Sequence, residues 1–242
     1  MHAHRRSALA AGILFIAATV LGLAGSAVMR PLLGEPLDFA RIASDPTAIF
    51  AGFLLKLVGY AACPAIALAM YPVLRAHGQA AALGSVVFRT LETVFYMAAA
   101  SGALVVVFLA RATTDGTTAD QDFARAAGSL LLATMDWIGF GVAVPFFALG
   151  ALLYYVPMYR ASLVPRWLSG WGILAAILAL AASALVLVQA IAPMSPLHLV
   201  LNFAIFIQEM VLAVWLMARG FAVEPAAEAP RLGEPILAGS AS

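Results

Sequence analysis

The sequence predicts an all-α, polytopic membrane protein built as a bundle of six transmembrane helices. Of its 242 residues, 64% are hydrophobic and 10% are charged, whereas about a quarter of the residues in a soluble domain are charged. Apolar runs long enough to cross a bilayer, about 20 residues for a hydrocarbon core of about 30 Å, recur along the whole chain. No remaining stretch is long enough for a soluble domain, so we expect one transmembrane domain over residues 1–221.

Charges, prolines and turn residues close the apolar runs and define the predicted spans. We expect helices at about residues 8–29, 47–74, 84–110, 126–159, 168–192 and 197–218. Residues 222–242 are rich in Ala, Pro and Glu, and we expect them to form a disordered cytoplasmic tail.

The first predicted helix also resembles a secretory signal, because arginines precede an apolar run that ends in small residues. The apolar run from Ala8 to Met29 is, however, longer than the apolar core of a signal peptide, which has about 7 to 15 residues. We therefore expect this segment to be an uncleaved helix.

Two further helices have recognisable start signals. Asp45 can cap the second helix with Pro46 in its first turn, and Thr118 and Gln121 have capping-box spacing at the start of the fourth. The fourth apolar run would measure about 50 Å as a straight helix, so we expect it to tilt, protrude or bend, with the bend at Pro145. A broken helix can mark a transporter's binding site, but glycine and proline are also common in membrane helices generally.

The arginines predict the orientation of the bundle. Positive residues favour the cytoplasmic side, and an N-terminus in the cytoplasm places six arginines inside and four outside. Those inside are Arg5, Arg6, Arg75, Arg160, Arg166 and Arg219, and those outside are Arg30, Arg41, Arg111 and Arg125. We therefore expect a bacterial inner-membrane protein with both termini in the cytoplasm.

Five ionisable residues within the predicted spans are the first candidates for a site: Lys56, Arg89, Glu92, Asp136 and Glu209. A charge at the centre of a membrane helix costs about 2.5–3.5 kcal/mol on insertion scales, so each should face protein or water and find a partner. Lys56 is the only lysine in the chain, and it lies at a depth similar to that of Asp136. A contact between Lys56 and Asp136 is a hypothesis based on this depth alone.

Two polar stripes mark the third and sixth predicted helices. On the third helix, Arg89, Glu92 and Tyr96 share a face with Ser85, and on the sixth, Asn202 and Glu209 share a face with His198. Two interpretations remain open. The carboxylates can bracket a cavity that binds a proton, a cation or an amine, or the charges can form a buried clamp that fixes helix packing.

Several functions are not indicated. The net charge of +1 gives no field for nucleic acid. No histidine pair lies at matched depth, and no Gly-x-Ser-x-Gly, His-Glu-x-x-His or Walker pattern occurs, so we predict no cofactor, no metal and no catalytic residue. The single cysteine, Cys63, is expected to be a small buried hydrophobe. Helices this rich in alanine suit a monomer or a dimer alike.

The chain resembles a bacterial membrane family, domain of unknown function 4386. The resemblance rests on five short stretches in order: AGILFIA at 11–17, YPVLR at 71–75, FRTLE at 88–92, VPRWLSGWG at 164–172 and EMVLAVWLMARGF at 209–221. It implies a compact multi-helix membrane protein in which Arg89, Glu92 and Glu209 occupy the charged positions. It implies no particular activity, and Lys56 and Asp136 lie outside its pattern.

Two function classes follow from these observations. The first is a small transporter or permease-like protein for a proton, an ion or a small solute, which predicts a solvated cavity that reaches the buried carboxylates. The second is a non-catalytic sensor or assembly subunit, which predicts tight packing around the charges. An intramembrane enzyme ranks third, because the carboxylates could do acid/base chemistry but no nucleophile accompanies them.

Overall fold

The computed structural model describes residues 2–34, 36–113 and 116–222 and confirms the predicted six-span architecture. No strand occurs in these ranges, and six stretches are long and apolar enough to cross a membrane: His4–Leu33, Thr47–His77, Gln79–Ala112, Thr118–Arg160, Arg166–Leu187 and Pro196–Ala218. The predicted disordered tail lies, from residue 223 onward, outside the described residues.

We number the helices in chain order. They are α1 (His2–Leu33), α2 (Phe39–Ser44), α3 (Thr47–Leu74), α4 (Gln79–Ala112), α5 (Thr118–Asp136), α6 (Val144–Arg160), α7 (Arg166–Leu187) and α8 (Pro196–Ala218). A 3₁₀ turn (Arg75–His77) follows α3, and a π-helical segment (Trp137–Ala143) joins α5 to α6. The fourth span therefore consists of α5, the π segment and α6.

Several boundaries differ from those that the sequence predicts. The first, third and fourth spans begin earlier, at His4, Gln79 and Thr118 instead of 8, 84 and 126. The short helix α2 was not predicted; the Asp38 carboxylate caps it by accepting a hydrogen bond from the backbone N–H of Arg41 at 3.0 Å. The fifth span ends at Leu187 instead of 192, because Gln189 adopts a left-handed backbone conformation with φ of 57°.

The capping box of α5 is correct in type but wrong by one residue. Thr117, not Thr118, has the extended backbone of a cap, and its hydroxyl accepts from the Asp120 N–H at 3.3 Å. The Asp120 carboxylate accepts from the Thr117 N–H at 2.8 Å, so Asp120 takes the role predicted for Gln121. At α3, the Asp45 carboxylate accepts from the Thr47 N–H at 3.1 Å, while Pro46 stands at the cap position itself.

The spans form a closed ring in which each span packs against its neighbours in sequence. α1 packs on α3, α3 on α4, α4 on α6, α6 on α7 and α7 on α8, and α8 returns to α1. α5 and the π segment pack on α4, and the π segment also packs on α7. The Arg5 guanidinium donates to the backbone oxygens of Leu216 and Met217, at 3.2 and 2.7 Å, so the start of α1 and the end of α8 lie at the same end of the bundle.

Two hydrophobic cores fill the two ends of the bundle. The larger core lies toward the end that carries Arg5 and includes Phe15, Met70 and Tyr154, which are at most 1% exposed. The smaller core lies at the opposite end, where α2 packs on α4, and includes Ile42 and Ile49. The candidate site around Arg89 lies within the larger core, against Phe147 and Tyr154, and the cavity at Lys56 borders the smaller core at Met29.

Helices α1 and α3 cross at close range because glycines lie at the crossing point. A Cβ atom on Gly52 would lie 2.7 Å from the backbone oxygen of Gly25, and one on Gly25 would lie 2.6 Å from the backbone oxygen of Gly52. Small residues let membrane helices approach until their backbones touch. The first helix is thus an integral part of the packed bundle.

The fourth span changes its helical geometry at the place where the sequence predicts a bend. The π segment covers Gly139 and Gly141, and Pro145 follows in the first turn of α6. Because the helix is continuous from Thr118 to Arg160, the missing N–H of Pro145 leaves the Gly141 carbonyl, four residues earlier, without its α-helical partner. The Ser183 hydroxyl on α7 donates to the backbone oxygen of Gly141 at 2.7 Å. A neighbouring helix therefore provides a partner for a carbonyl in the irregular segment, as is needed in an apolar medium.

Candidate functional site

The polar residues of the bundle separate into two groups. The first, which we call the polar cluster, consists of Arg89, Glu92, Tyr154 and Glu209. In it, an Arg89 guanidinium nitrogen lies 3.1 Å from a Glu92 carboxylate oxygen, and both side chains are only 3% exposed. This pair occupies successive turns of α4, so the predicted i, i+3 spacing is realised as a buried ion pair.

Arg89 is held by the helix that faces it. Its guanidinium lies over the ring of Phe147 on α6, 5.0 Å from the centroid, in a cation–π arrangement. Its aliphatic stem packs on Gly150, where an added Cβ would lie 3.2 Å from the Arg89 Cγ and Cδ atoms. Gly150 therefore leaves the space through which the arginine passes.

Glu209 joins the polar cluster from α8. Its carboxylate accepts a hydrogen bond from the Tyr154 hydroxyl at 3.3 Å and lies within electrostatic range of Arg89. The neighbouring pair on the same helices, Tyr155 and Gln208, is also hydrogen-bonded, and the Gln208 amide donates to the Leu168 oxygen at 3.1 Å. Sequence reasoning missed the two tyrosines and Gln208, although a glutamine beside a glutamate inside an apolar span was a usable signal.

The polar cluster is tightly packed around its charges. Arg89 Nε and the Glu92 oxygen of the ion pair have no well-aligned hydrogen-bond partner in the described chain, so the pair is held mainly by charge. Neither cavity described below is lined by Arg89, Glu92 or Glu209. This is the arrangement that the clamp interpretation predicts.

Two other residues of the predicted stripes have local roles. Tyr96 stacks on Tyr60 of α3, with ring centroids 4.9 Å apart, within electrostatic range of Glu92. Asn202 donates its amide to the backbone oxygen of His198 one turn earlier on α8, at 2.9 Å. Asn202 therefore satisfies its own helix and is not bonded to the polar cluster.

The second group surrounds a cavity of about 460 Å³ between α1, α3 and α5, which we call the Lys56 cavity. Lys56 and Asp136 both line it and lie within electrostatic range of each other, although they form no direct ion pair in the described chain. The other lining residues are Ser26, Met29, Arg30, Leu33, Ser129, Leu132, Ala133 and Met135. The structure thus brings Lys56 and Asp136 to one cavity, where their charges are available to a third group.

The position of Lys56 depends on α1. A Cβ atom on Gly25 would lie 2.8 Å from the Lys56 Cγ atom, so glycine at this position leaves room for the lysine stem. Lys56 is partly buried, whereas Asp136 is exposed at the end of α5, next to the π segment. The lysine is therefore positioned by the α1–α3 crossing and the carboxylate by the irregular fourth span.

A second cavity, of about 630 Å³, lies on the other side of Asp136, between the end of α5 and the end of α7. Asp136 and Ala133 line both cavities, and the second is also lined by Thr134, Trp137, Val186, Gln189, Ile191, Ala192 and Pro193. Asp136 therefore stands between two cavities at the same end of the bundle. In the described ranges, no group of three or more His, Cys, Asp or Glu side chains is placed to hold a metal ion.

Comparisons with known proteins identify the family. Neither the curated proteins nor the solved structures contain a match to this chain. The family described as Domain of unknown function (DUF4386) matches residues 10–220, which include all six spans apart from the first residues of α1. The resemblance found in the sequence is confirmed, and the chain belongs to the family Domain of unknown function (DUF4386).

Proposed function

We propose that this membrane protein is a permease-like protein that binds a small solute in the Lys56 cavity. The observation that carries the proposal is that the chain's only lysine and an intramembrane aspartate line one open cavity without forming a direct ion pair. Ionisable side chains within membrane spans usually mark a solute or ion pathway when they face a cavity. At about 460 Å³, the cavity is within the usual size range of small-ligand sites, about 300–1,000 Å³.

The position beside a broken helix supports this proposal. Transporters commonly bind their substrates where a membrane helix is interrupted, and Asp136 immediately precedes the π segment. On this proposal the Asp136 carboxylate lines the site that the solute occupies. The Arg89–Glu92 pair has a structural role, because its charges are packed against Phe147 and Gly150.

The proposed setting is a bacterial inner membrane with both termini in the cytoplasm. The arginine distribution supports this orientation, with six arginines at the predicted inner ends of the spans and four at the outer ends. The Lys56 cavity lies toward the end of α1 that carries Arg30. In the proposed orientation, the solute enters from the outer side.

Cysteine accessibility tests the proposal. In a Cys63→Ala background, Lys56→Cys and Asp136→Cys are expected to react with a membrane-impermeant cationic thiosulfonate, because a water-filled cavity supports thiolate formation. The matched control is Leu54→Cys, on the same helix, whose side chain is 58% exposed on the outer surface of the bundle and is expected to face lipid and react slowly. If neither Lys56→Cys nor Asp136→Cys reacted with the reagent, a solute site in this cavity would be refuted.

The side from which the reagent acts distinguishes a permease from a binding protein. A permease is expected to expose Lys56→Cys to reagent from each side of inverted and right-side-out vesicles, as the two access states exchange. Labelling from one side alone would contradict the permease part of the proposal and leave a solute-binding sensor.

A second candidate function is a non-catalytic sensor or assembly subunit whose buried charges are structural. The buried Arg89–Glu92 pair is structural in both candidates, and this candidate extends the same role to Lys56 and Asp136. This candidate predicts that both cavity cysteines are unreactive and that the protein copurifies with a partner membrane protein.

A further inference from the structure

We infer that the solute of the Lys56 cavity is an amphipathic monoanion, a carboxylate attached to an apolar body. The inference rests on the proposed solute site and names its chemical class. The charges, hydroxyls and apolar side chains of the cavity walls carry the argument.

The charge of the walls selects an anion. Arg30 and Lys56 contribute two positive charges and Asp136 one negative charge, so the lining carries a net charge of +1. A ligand with a single negative charge neutralises this lining, whereas a cation would raise it further. Because the Lys56 and Asp136 groups are not directly paired, the ammonium retains donors for a carboxylate.

The two helices that form the sides of the cavity run in opposite directions and carry similar side chains at the same spacing. On α1 the lining residues are 26, 29, 30 and 33, and on α5 residues 129, 132, 133 and 136 repeat the spacing i, i+3, i+4 and i+7, with Met135 as a fifth lining residue. Each of these four-residue sets therefore contains one serine, one charged residue and two apolar residues. An apolar chain can lie along both faces while its polar end meets the charges.

The apolar part of the lining requires an apolar body in the ligand. Met29, Leu33, Leu132 and Met135 supply apolar surface, whereas a small inorganic anion would leave it in contact with water. Arg30 suits a carboxylate, because its planar guanidinium can donate two parallel hydrogen bonds to one carboxylate group. These features together favour an amphipathic carboxylate over chloride, phosphate or a neutral sugar.

The unique lysine allows a direct test with octanoate as the probe. Reductive methylation with ¹³C-formaldehyde keeps the lysine charge and labels only Lys56 and the N-terminal amine, which resonate at different shifts. We expect octanoate to shift the dimethyl-Lys56 signal of the full chain in a saturable way, and octanol and octylammonium to leave it unchanged. A saturable shift with octylammonium but not octanoate would overturn the inference and assign the ligand as a cation at Asp136.

Variants and chain length make the test specific. Arg30→Gln, at an exposed position, should raise the apparent Kd for octanoate at least tenfold, and Asp136→Asn should lower it, because a competing carboxylate is removed. Butyrate should bind at least tenfold more weakly than octanoate, because less apolar surface is buried. Equal affinity for butyrate and octanoate, or no effect of Arg30→Gln, would contradict an amphipathic anion.

Two further experiments complete the test. One shows whether the carboxylate comes from the membrane or from water, and the other shows whether a negative result refutes the anion assignment or the solute site itself. Palmitate supplied within nanodisc bilayers should shift the Lys56 signal if the ligand comes from the membrane, and octanoate alone should do so if it comes from water. Reactive cysteines in the cavity with no carboxylate binding would leave the solute site standing and refute its assignment to anions. Unreactive cysteines would refute the solute site itself.

Discussion

At the scale of single residues, Arg89 shows how an apolar bundle can hold a charge. The guanidinium has a carboxylate at 3.1 Å, an aromatic face at 5.0 Å and a second acid, Glu209, within electrostatic range. Each of these partners comes from a different element: Glu92 from α4, Phe147 from α6 and Glu209 from α8. The arginine therefore connects three spans, and we expect loss of its partner to lower the stability of the packing among α4, α6 and α8.

Glu92→Gln should destabilise the protein by about 3–5 kcal/mol, because it leaves Arg89 buried without the carboxylate that it contacts directly. The double variant Arg89→Met, Glu92→Leu should lose less, because both charges of the ion pair are removed together and Glu209 keeps its hydrogen bond from Tyr154. A denaturant titration of each variant in detergent measures its free energy of unfolding. If the double variant were less stable than Glu92→Gln, the pair would not be a simple electrostatic clamp.

The exposed pair Asp122–Arg125 provides a matched control for this prediction. It has the same i, i+3 spacing and an N–O distance of 2.7 Å, but its side chains are 68% and 57% exposed. An exposed pair contributes about 0–1 kcal/mol, so Arg125→Gln should change stability by no more than that. The difference in stability loss between the two variants would then be caused by burial of the ion pair and not by its spacing.

The sequence predicts part of the polar cluster and cannot predict the rest. The spacing of Arg89 and Glu92 places them on one face of a helix, and the contact follows from that helix alone. The Tyr154–Glu209 hydrogen bond depends on how α6 and α8 are rotated about their axes. The spacing of polar residues within a single helix does not determine that rotation. Asn202 lies on the predicted face but bonds to the His198 backbone oxygen of its own helix, which an asparagine in a helix can do.

At the scale of elements, the crossing of α1 and α3 positions the Lys56 cavity. The two helices touch through the backbones of Gly25 and Gly52, and the lysine stem passes over Gly25. The same glycines thus determine both the helix separation and the direction of Lys56. A larger residue at either position would move the lysine together with the helix.

Gly52→Ala should destabilise the protein by about 1–3 kcal/mol, because overpacking forces the surrounding atoms to shift. The new Cβ would lie 2.7 Å from the Gly25 oxygen, and backbone cannot move aside as a flexible side chain can. The control is Gly22→Ala on α1, where the Cβ meets nothing within 4 Å. Gly22→Ala should be neutral or should stabilise by up to about 1 kcal/mol, and thermal scanning of both variants checks the contrast.

The π segment depends on a partner from another helix, which gives Ser183 a structural role. Ser183→Ala should cost about 1–3 kcal/mol, because it leaves the buried Gly141 oxygen without the hydroxyl that bonds to it. Ser101→Ala is the control, because the exposed Ser101 hydroxyl bonds only to the Ala98 oxygen of its own helix. Equal stability of the two variants would mean that the π segment does not need this bond.

The sequence predicts where the fourth span is irregular but not the form of the irregularity. Its apolar run is too long for a straight span, and its glycines and Pro145 indicate the place. A kink and a π-helical segment use the same residues, and the choice between them depends on which neighbouring helix can bond to the freed carbonyls. Here the partner is Ser183, more than 40 residues away along the chain.

At the scale of the whole molecule, the ring of six spans is closed by the contact between the first and the last. Arg5 bonds to the end of α8, and Gly12 lies against Ala213 so closely that a Cβ would be 2.7 Å from the Ala213 oxygen. Sequence neighbours account for the other contacts of the ring, since short connections place consecutive helices side by side. The contact of α1 with α8 is the one that only the folded chain reveals.

A disulfide across this contact tests whether the ring is closed in the membrane. A Cβ at Gly220 would lie 3.9 Å from the Ala8 Cβ, close to the mean of about 3.8 Å in disulfides. In a Cys63→Ala background, Ala8→Cys with Gly220→Cys should therefore cross-link on mild oxidation. Cysteine at position 220 would adopt φ of 77°, so the single variant Gly220→Cys must first be shown to retain its fold.

A protease site inserted between α4 and α5 makes the cross-link visible. After cleavage, the halves should stay together on a non-reducing gel and separate on reduction, because the disulfide alone joins them. The control pair Ala8→Cys with Gly116→Cys should not cross-link, since Gly116 lies at the opposite end of the bundle, just before α5. If the folded Ala8→Cys, Gly220→Cys protein also failed to cross-link, the bundle would open between α1 and α8, and a solute could enter the interior there without passing the Lys56 cavity.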